Sequence, residues 1–280
     1  MTRLRNLDVR ILWLLLTVVI LVPMARPLGL PLNIGEPAQQ SFDFVSALPE
    51  RSVVVLCYDI APSSEAENWP QALAMTKHLM ALGHRIVIMT LVPEGVMYAD
   101  RVATTVAPGL GLTYGEDIVV LPYRAGQESA AAAFGENLRD LYATDHYGTP
   151  IDNLPLMADI AGIADVDLIA AFSAGDTGLW FIRQVGAKFG TPLIVGTVGP
   201  GTPLYMVYFS SGQLVGLLNG LAGAAEYELL AKVPGKALAA MDAQSVGHGF
   251  FIILMILSNI VYFASRRAVR ARGDGLLRRP

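Results

Sequence analysis

Asp59 and Asp176 are the residues whose types and positions best suit chemistry. Each follows an apolar run of strand character, Ser52–Tyr58 and Leu168–Phe172 respectively, and each stands among small polar residues. Two carboxylates on one edge can divide general acid and base roles, or bind the amines and hydroxyls of a ligand. Ser63 and Ser64 follow the first run. Ser173, Thr177 and Trp180 accompany Asp176, and Arg124 follows a third apolar run, where it can hold an anion. These eight residues are the expected ligand-binding set. Asp59, Asp176 and Ser173 are the catalytic candidates if the protein is an enzyme, and none is assigned as catalytic. Ser173 as a nucleophile needs a base, and His146 is the one histidine placed to serve. A plainer account covers the same residues: Asp176 and Thr177 cap a helix, Asp59 accepts turn N–H groups, Arg124 faces water and Trp180 packs on a sheet.

The fingerprints of several chemistries are missing. The segment after the first strand reads CYDIAPSSEAE, without the glycine spacing of a dinucleotide site, and neither a phosphate-binding GxxxxGK[ST] nor a GxSxG nucleophile turn occurs. His78, His84, His146 and His248 form no HExxH pair, so no metal site and no cofactor are expected. Cys57 is the only cysteine, which rules out an intrachain disulfide and a CxxC redox pair. In the setting VVVLCYD it reads as a buried structural thiol.

For the polar residues to meet, the strands must be parallel and end on one edge. Short apolar strands alternate with helical segments from Ser52 to Thr197, and their continuous rather than alternating hydrophobicity indicates burial on both faces. The expected fold is α/β, a Rossmann-like, doubly wound, mostly parallel sheet of about five strands, with ligands in the crevice at the strands' carboxyl ends. Residues 143–155, polar and rich in turn formers, are the expected mobile loop.

The ends of the chain set its location. The 280 residues are 53% hydrophobic and only 16% charged, against about a quarter charged in ordinary soluble domains. Arg3, Arg5 and Arg10 precede the apolar segment Ile11–Ala25, which reads as an uncleaved anchor extending to Gly29; a cleaved signal peptide is its rival. Residues 246–265 carry no charged side chain and are followed by an arginine-rich tail. The positive-inside rule then places both termini in the cytoplasm and the middle outside. Residues 26–248 agree, holding 11 Lys/Arg against 22 Asp/Glu. Topology alone explains the arginines, so nucleic acid is not an expected partner.

The expected organisation is therefore a cytoplasmic start and anchor (1–29), a linker (30–50), an extracytoplasmic α/β domain (51–210), a glycine-ridged helical region with connector (211–245), a transmembrane helix (246–265) and a basic cytoplasmic tail (266–280). Gly212, Gly216 and Gly220 recur every fourth residue, the spacing of a smooth helix face for close packing, and are the expected interface. Strong architecture with weak chemistry favours a non-catalytic role. The chain reads as a two-span protein of a bacterial-type inner membrane, with a binding or scaffold domain outside. It would be an accessory or self-associating subunit of an envelope complex, partnered by the bilayer and by a membrane protein or further copies of itself. The alternatives are an extracytoplasmic hydrolase- or transferase-like enzyme and an oligomeric transport component.

Overall fold

The computed structural model describes residues 8–233 and 235–276, with side chains to Arg266. The expectations for residues 1–7 and 277–280 lie outside the described residues. The chain divides into two compact units, one of residues 31–238 and one joining the two ends, residues 1–30 and 239–280.

In the larger unit, helix α2 (Glu36–Ser46) precedes strand β1 (Val53–Asp59), helix α3 (Glu65–Ala81) and strand β2 (Arg85–Met89). Helix α4 (Val96–Arg101) runs through a π turn at Val102–Val106, and strand β3 (Ile118–Val120) follows. Helices α5 (Glu128–Glu136), α6 (Leu138–Leu141) and α7 (Pro155–Ala158) lead to strand β4 (Leu168–Ser173). Helix α8 (Thr177–Phe181) continues through a second π turn to Phe189. Strand β5 (Leu193–Thr197), helix α9 (Thr202–Ser210), strand β6 (Gly216–Asn219) and helix α10 (Gly220–Ala231) complete the unit.

The sheet is α/β and parallel throughout, in the order β3-β2-β1-β4-β5-β6, with helices on both sides. Strand order reverses between β1 and β4, so the crevice outside their carboxyl ends is the topological switch point of a doubly wound fold. Alternate residues serve opposite cores. Val53, Val55 and Cys57 pack with Phe134, Phe181 and Val185 on one face, while Val54, Leu56 and Tyr58 pack with Met75, Leu79 and Tyr227 on the other. This two-sided burial is the reason the strands read as unbroken apolar runs.

Two expectations are overturned in this unit. The stretch read as part of the 30–50 linker contains α2: Pro37 stands in its first turn, and Ala38, Ser41 and Val45 are buried at helical spacing. The glycine series is not a helical ridge. Gly212 makes a turn with φ +76°, Gly216 opens β6 as a sixth strand, and Gly220, φ +59°, begins α10. The spacing of four is incidental, because each glycine answers a different local demand. At Gly216 the demand is space, since an added Cβ would stand 2.8 Å from the Ser41 Cα of α2.

In the smaller unit, helix α1 (Val9–Ala25) is capped by the Asp8 carboxylate, which accepts from the Arg10 N–H at 2.9 Å, and helix α11 spans Ala237–Leu276. Within α11, residues Ala237–Arg266 are long and apolar enough to cross a membrane; α1, at 17 residues, is apolar but shorter.

Candidate functional site

The carboxyl edge gathers its polar residues by register. Asp59 of β1 pairs with Ser173 of β4, Ser173 with Thr197 of β5, and Thr197 with Asn219 of β6. Residues in register share a face, so four neighbouring strands each end on a polar side chain in one row. Cys57 lies two residues below Asp59 on the same face.

Asp59 is the centre of this row. It is only 3% exposed, and both its oxygens are occupied. Oδ1 accepts the Leu91 N–H at 2.6 Å and lies 3.2 Å from the Thr90 hydroxyl and 3.5 Å from the Cys57 thiol. Oδ2 accepts the Thr177 hydroxyl at 2.6 Å. Thr90 has one proton to give and stands closer, at 2.6 Å, to the Val92 carbonyl, so the Leu91 amide and Thr177 are the main donors to Asp59. Burial raises the Asp59 pKa, and the hydrogen bonds from Thr177 and Leu91 oppose it. The carboxylate thus ties the end of β1 to the end of β2 and to the turn after β4. Burial, with the neighbouring Asp59 charge, also pushes the Cys57 thiol well up, and its side chain packs fully buried in the core.

The turn after β4 is closed in the same way. The Ser173 hydroxyl accepts the Gly175 N–H at 2.9 Å, and the Tyr205 hydroxyl, reaching over from α9, donates to the Gly175 carbonyl at 3.1 Å. The backbone N–H groups of Gly178 and Leu179, at the start of α8, face that same hydroxyl and act to lower its pKa, though burial pushes it up to about 12. The Tyr205 side chain thus lies over the start of α8. Gly178 makes this possible, because an added Cβ would stand 2.7 Å from the Tyr205 ring.

Of the expected site residues, the fold brings Asp59 and Thr177 into direct contact and sets Ser173 beside Asp59 in register. Asp176 is exposed at the N-cap of α8 without a side-chain capping bond, so the anticipated carboxylate cap is not made; its carbonyl accepts the Trp180 N–H at 3.0 Å. Trp180 is half-buried against the core. Arg124 is exposed, its backbone N–H bonded to the Thr90 carbonyl at 3.1 Å, and it makes no ion pair among the described residues. Ser63 is exposed, while Ser64 turns back on Ala61 rather than capping α3. The expected loop is tied down by buried Asp145, which accepts the Tyr147 and Thr149 N–H groups and the Tyr114 hydroxyl.

Sequence reasoning missed Thr90, Leu91 and Tyr205. Leu91 contributes through its backbone, which no side-chain pattern reports. It also missed the bracket at the β5–β6 end of the edge. There the Gln71 amide nitrogen of α3 donates to the Gly220 and Thr197 carbonyls at 2.7 and 3.0 Å and lies 3.3 Å from the Leu218 carbonyl, and Glu67 accepts the Gly199 N–H at 2.8 Å. Outside this bonded edge, α9 exposes Leu204 and Val207, the latter 66% accessible, beside a shallow hollow of about 530 Å³ lined by Pro203, Met206, Val207, Ser210 and Ser211. No group of acidic, histidine or cysteine side chains able to hold a metal occurs among the described residues. Comparison with protein-family models, curated proteins and solved structures yields no match.

Proposed function

We propose that the protein is a membrane-anchored binding or scaffold subunit, with its α/β domain outside the cytoplasm and both termini inside. One observation carries the non-catalytic part of this reading. At the switch point, where α/β enzymes keep free polar groups for a ligand, the Asp59, Ser173, Thr177 and Tyr205 side chains are bonded to the protein's own turns. An acid–base pair needs both carboxylates free to reach substrate, whereas Asp59 is committed to two buried donors. The exposed Leu204 and Val207 side chains of α9 are the surface on which a partner subunit would dock. The membrane part rests on the apolar segment Ala237–Arg266 and on the acidic balance of the chain between its basic ends.

The test is co-purification of the tagged full chain from native membranes in mild detergent. A partner subunit, or a second copy carrying a different tag, is expected to accompany the wild type. Val207→Asp should reduce its recovery at least tenfold without altering the chain's own yield, because a charge would be buried in an apolar contact. Recovery of the chain alone, or equal recovery with Val207→Asp, contradicts this assignment.

A further inference from the structure

Asp242, in the second turn of α11, is a buried carboxylate that serves none of the features described above. Its oxygens accept three successive backbone N–H groups from the segment just beyond α1: Leu28 at 2.7 Å, Gly29 at 2.9 Å and Leu30 at 3.1 Å. Gly29 adopts φ +66°, a left-handed conformation that glycine takes without strain and that turns consecutive N–H groups toward one anion. Further along, an added Cβ on Gly247 would stand 3.9 Å from Ile20 Cγ1 of α1. Residue numbers rise along α1 toward Asp242 and fall along α11 toward it, so the two helices run antiparallel from this joint. Each has a less exposed stripe at helical spacing, Leu12, Leu16, Val19, Ile20 and Pro23 on α1, and Ala243, Gly247, Phe250 and Leu254 on α11. Away from these stripes Trp13, Leu14, Phe251 and Met255 are more than half exposed.

We infer that α1 is a permanent partner of α11: the two form an antiparallel membrane hairpin, locked at its outer end by the Asp242 carboxylate on the Leu28–Leu30 amides. The inference rests on the two-span reading proposed above and deepens it by pairing the spans and naming the lock. An N-terminal apolar segment used only for targeting would have no need of a stripe complementary to a distant helix. A carboxylate satisfied by three amides also avoids the cost of an unpaired charge beside the bilayer.

The test uses the full chain in native membranes, with Cys57→Ala as background and cysteines introduced by Ile20→Cys and Gly247→Cys. Mild oxidation or a short thiol crosslinker should join the two positions within one chain, whereas Trp13→Cys combined with Gly247→Cys should give no link. Asp242→Asn, which replaces one acceptor oxygen by a donor group facing amide donors, should lower the yield severalfold. No crosslink between positions 20 and 247, crosslinks only between chains, an Asp242→Asn yield equal to that of the parent, or an intact mass showing loss of the N-terminal segment would each overturn the hairpin lock. A separate Val9→Cys variant distinguishes this from failure of the topology. Shielding of its introduced thiol from an impermeant reagent on the outer side, with no crosslink in the paired variant, removes the lock and leaves two spans standing; labelling from the outside removes both.

Discussion

At the scale of single residues, Asp59 is an architectural carboxylate, and its substitution should read as a stability change. Asp59→Ala leaves the Leu91 N–H and Thr177 hydroxyl buried without an acceptor, at about 1–3 kcal/mol for each unsatisfied donor. Denaturant unfolding of the chain in detergent should show a loss of that order, with Asp59→Asn less damaging because one acceptor oxygen survives. His78 makes a second prediction. It stacks on Phe42 at 5.0 Å, and its Nδ1 bonds the Tyr227 hydroxyl at 2.9 Å. Burial, aided by the charge of His84, lowers its pKa. The unfolded chain therefore binds the proton more readily, and stability should fall as pH drops through about 6.5 and on through the lowered folded value. Buried Glu226 and Glu228, whose pKa values burial raises, act in the opposite sense, so the histidine contribution is read by difference. Melting curves from pH 8 to 5 for wild type and His78→Gln should converge toward the acid end; parallel curves would contradict the assignment.

Among elements, legibility follows periodicity. The strands β1, β2, β4 and β5 are readable because two-sided burial leaves unbroken apolar runs, and the polar residues at their ends can be anticipated from the parallel arrangement. Strand β6 is not. Its four residues, GLLN, sit inside a glycine series whose spacing mimics a packed helix, and only the approach of α2 reveals why Gly216 lacks a side chain. Helix α2 is hidden by the polar sequence EPAQQSFDFVS, whose buried residues are mostly small or polar. The bonds of Asp59 to Leu91 and of Tyr205 to Gly175 span distances in sequence that no local pattern encodes. Gly216→Val should accordingly destabilise the domain by about 1–3 kcal/mol, the usual cost of overpacking, because the backbone of α2 must give way. Gly212→Ala, where nothing lies within 4 Å of an added Cβ, should show only the smaller strain of its positive φ. Equal effects on urea midpoints would return the glycines to a common role.

For the whole molecule, Asp59, Ser173, Thr177 and Tyr205 hold the protein's own turns at the sheet's carboxyl edge, the buried Thr197 hydroxyl there has no partner among the described residues, and α9 leaves apolar side chains exposed. That allocation is the observation behind the proposed binding role, since an enzyme on a similar frame would hold polar groups open to a ligand at the same edge. The proposed role has the chain working as part of an assembly. It is tested most directly by the protein mass, corrected for bound detergent, of the complex extracted gently from native membranes. A mass at least twice the 30.0 kDa of the single chain, or that of the chain with a stoichiometric partner, is expected. A homogeneous 30.0 kDa monomer that carries no other protein would contradict it.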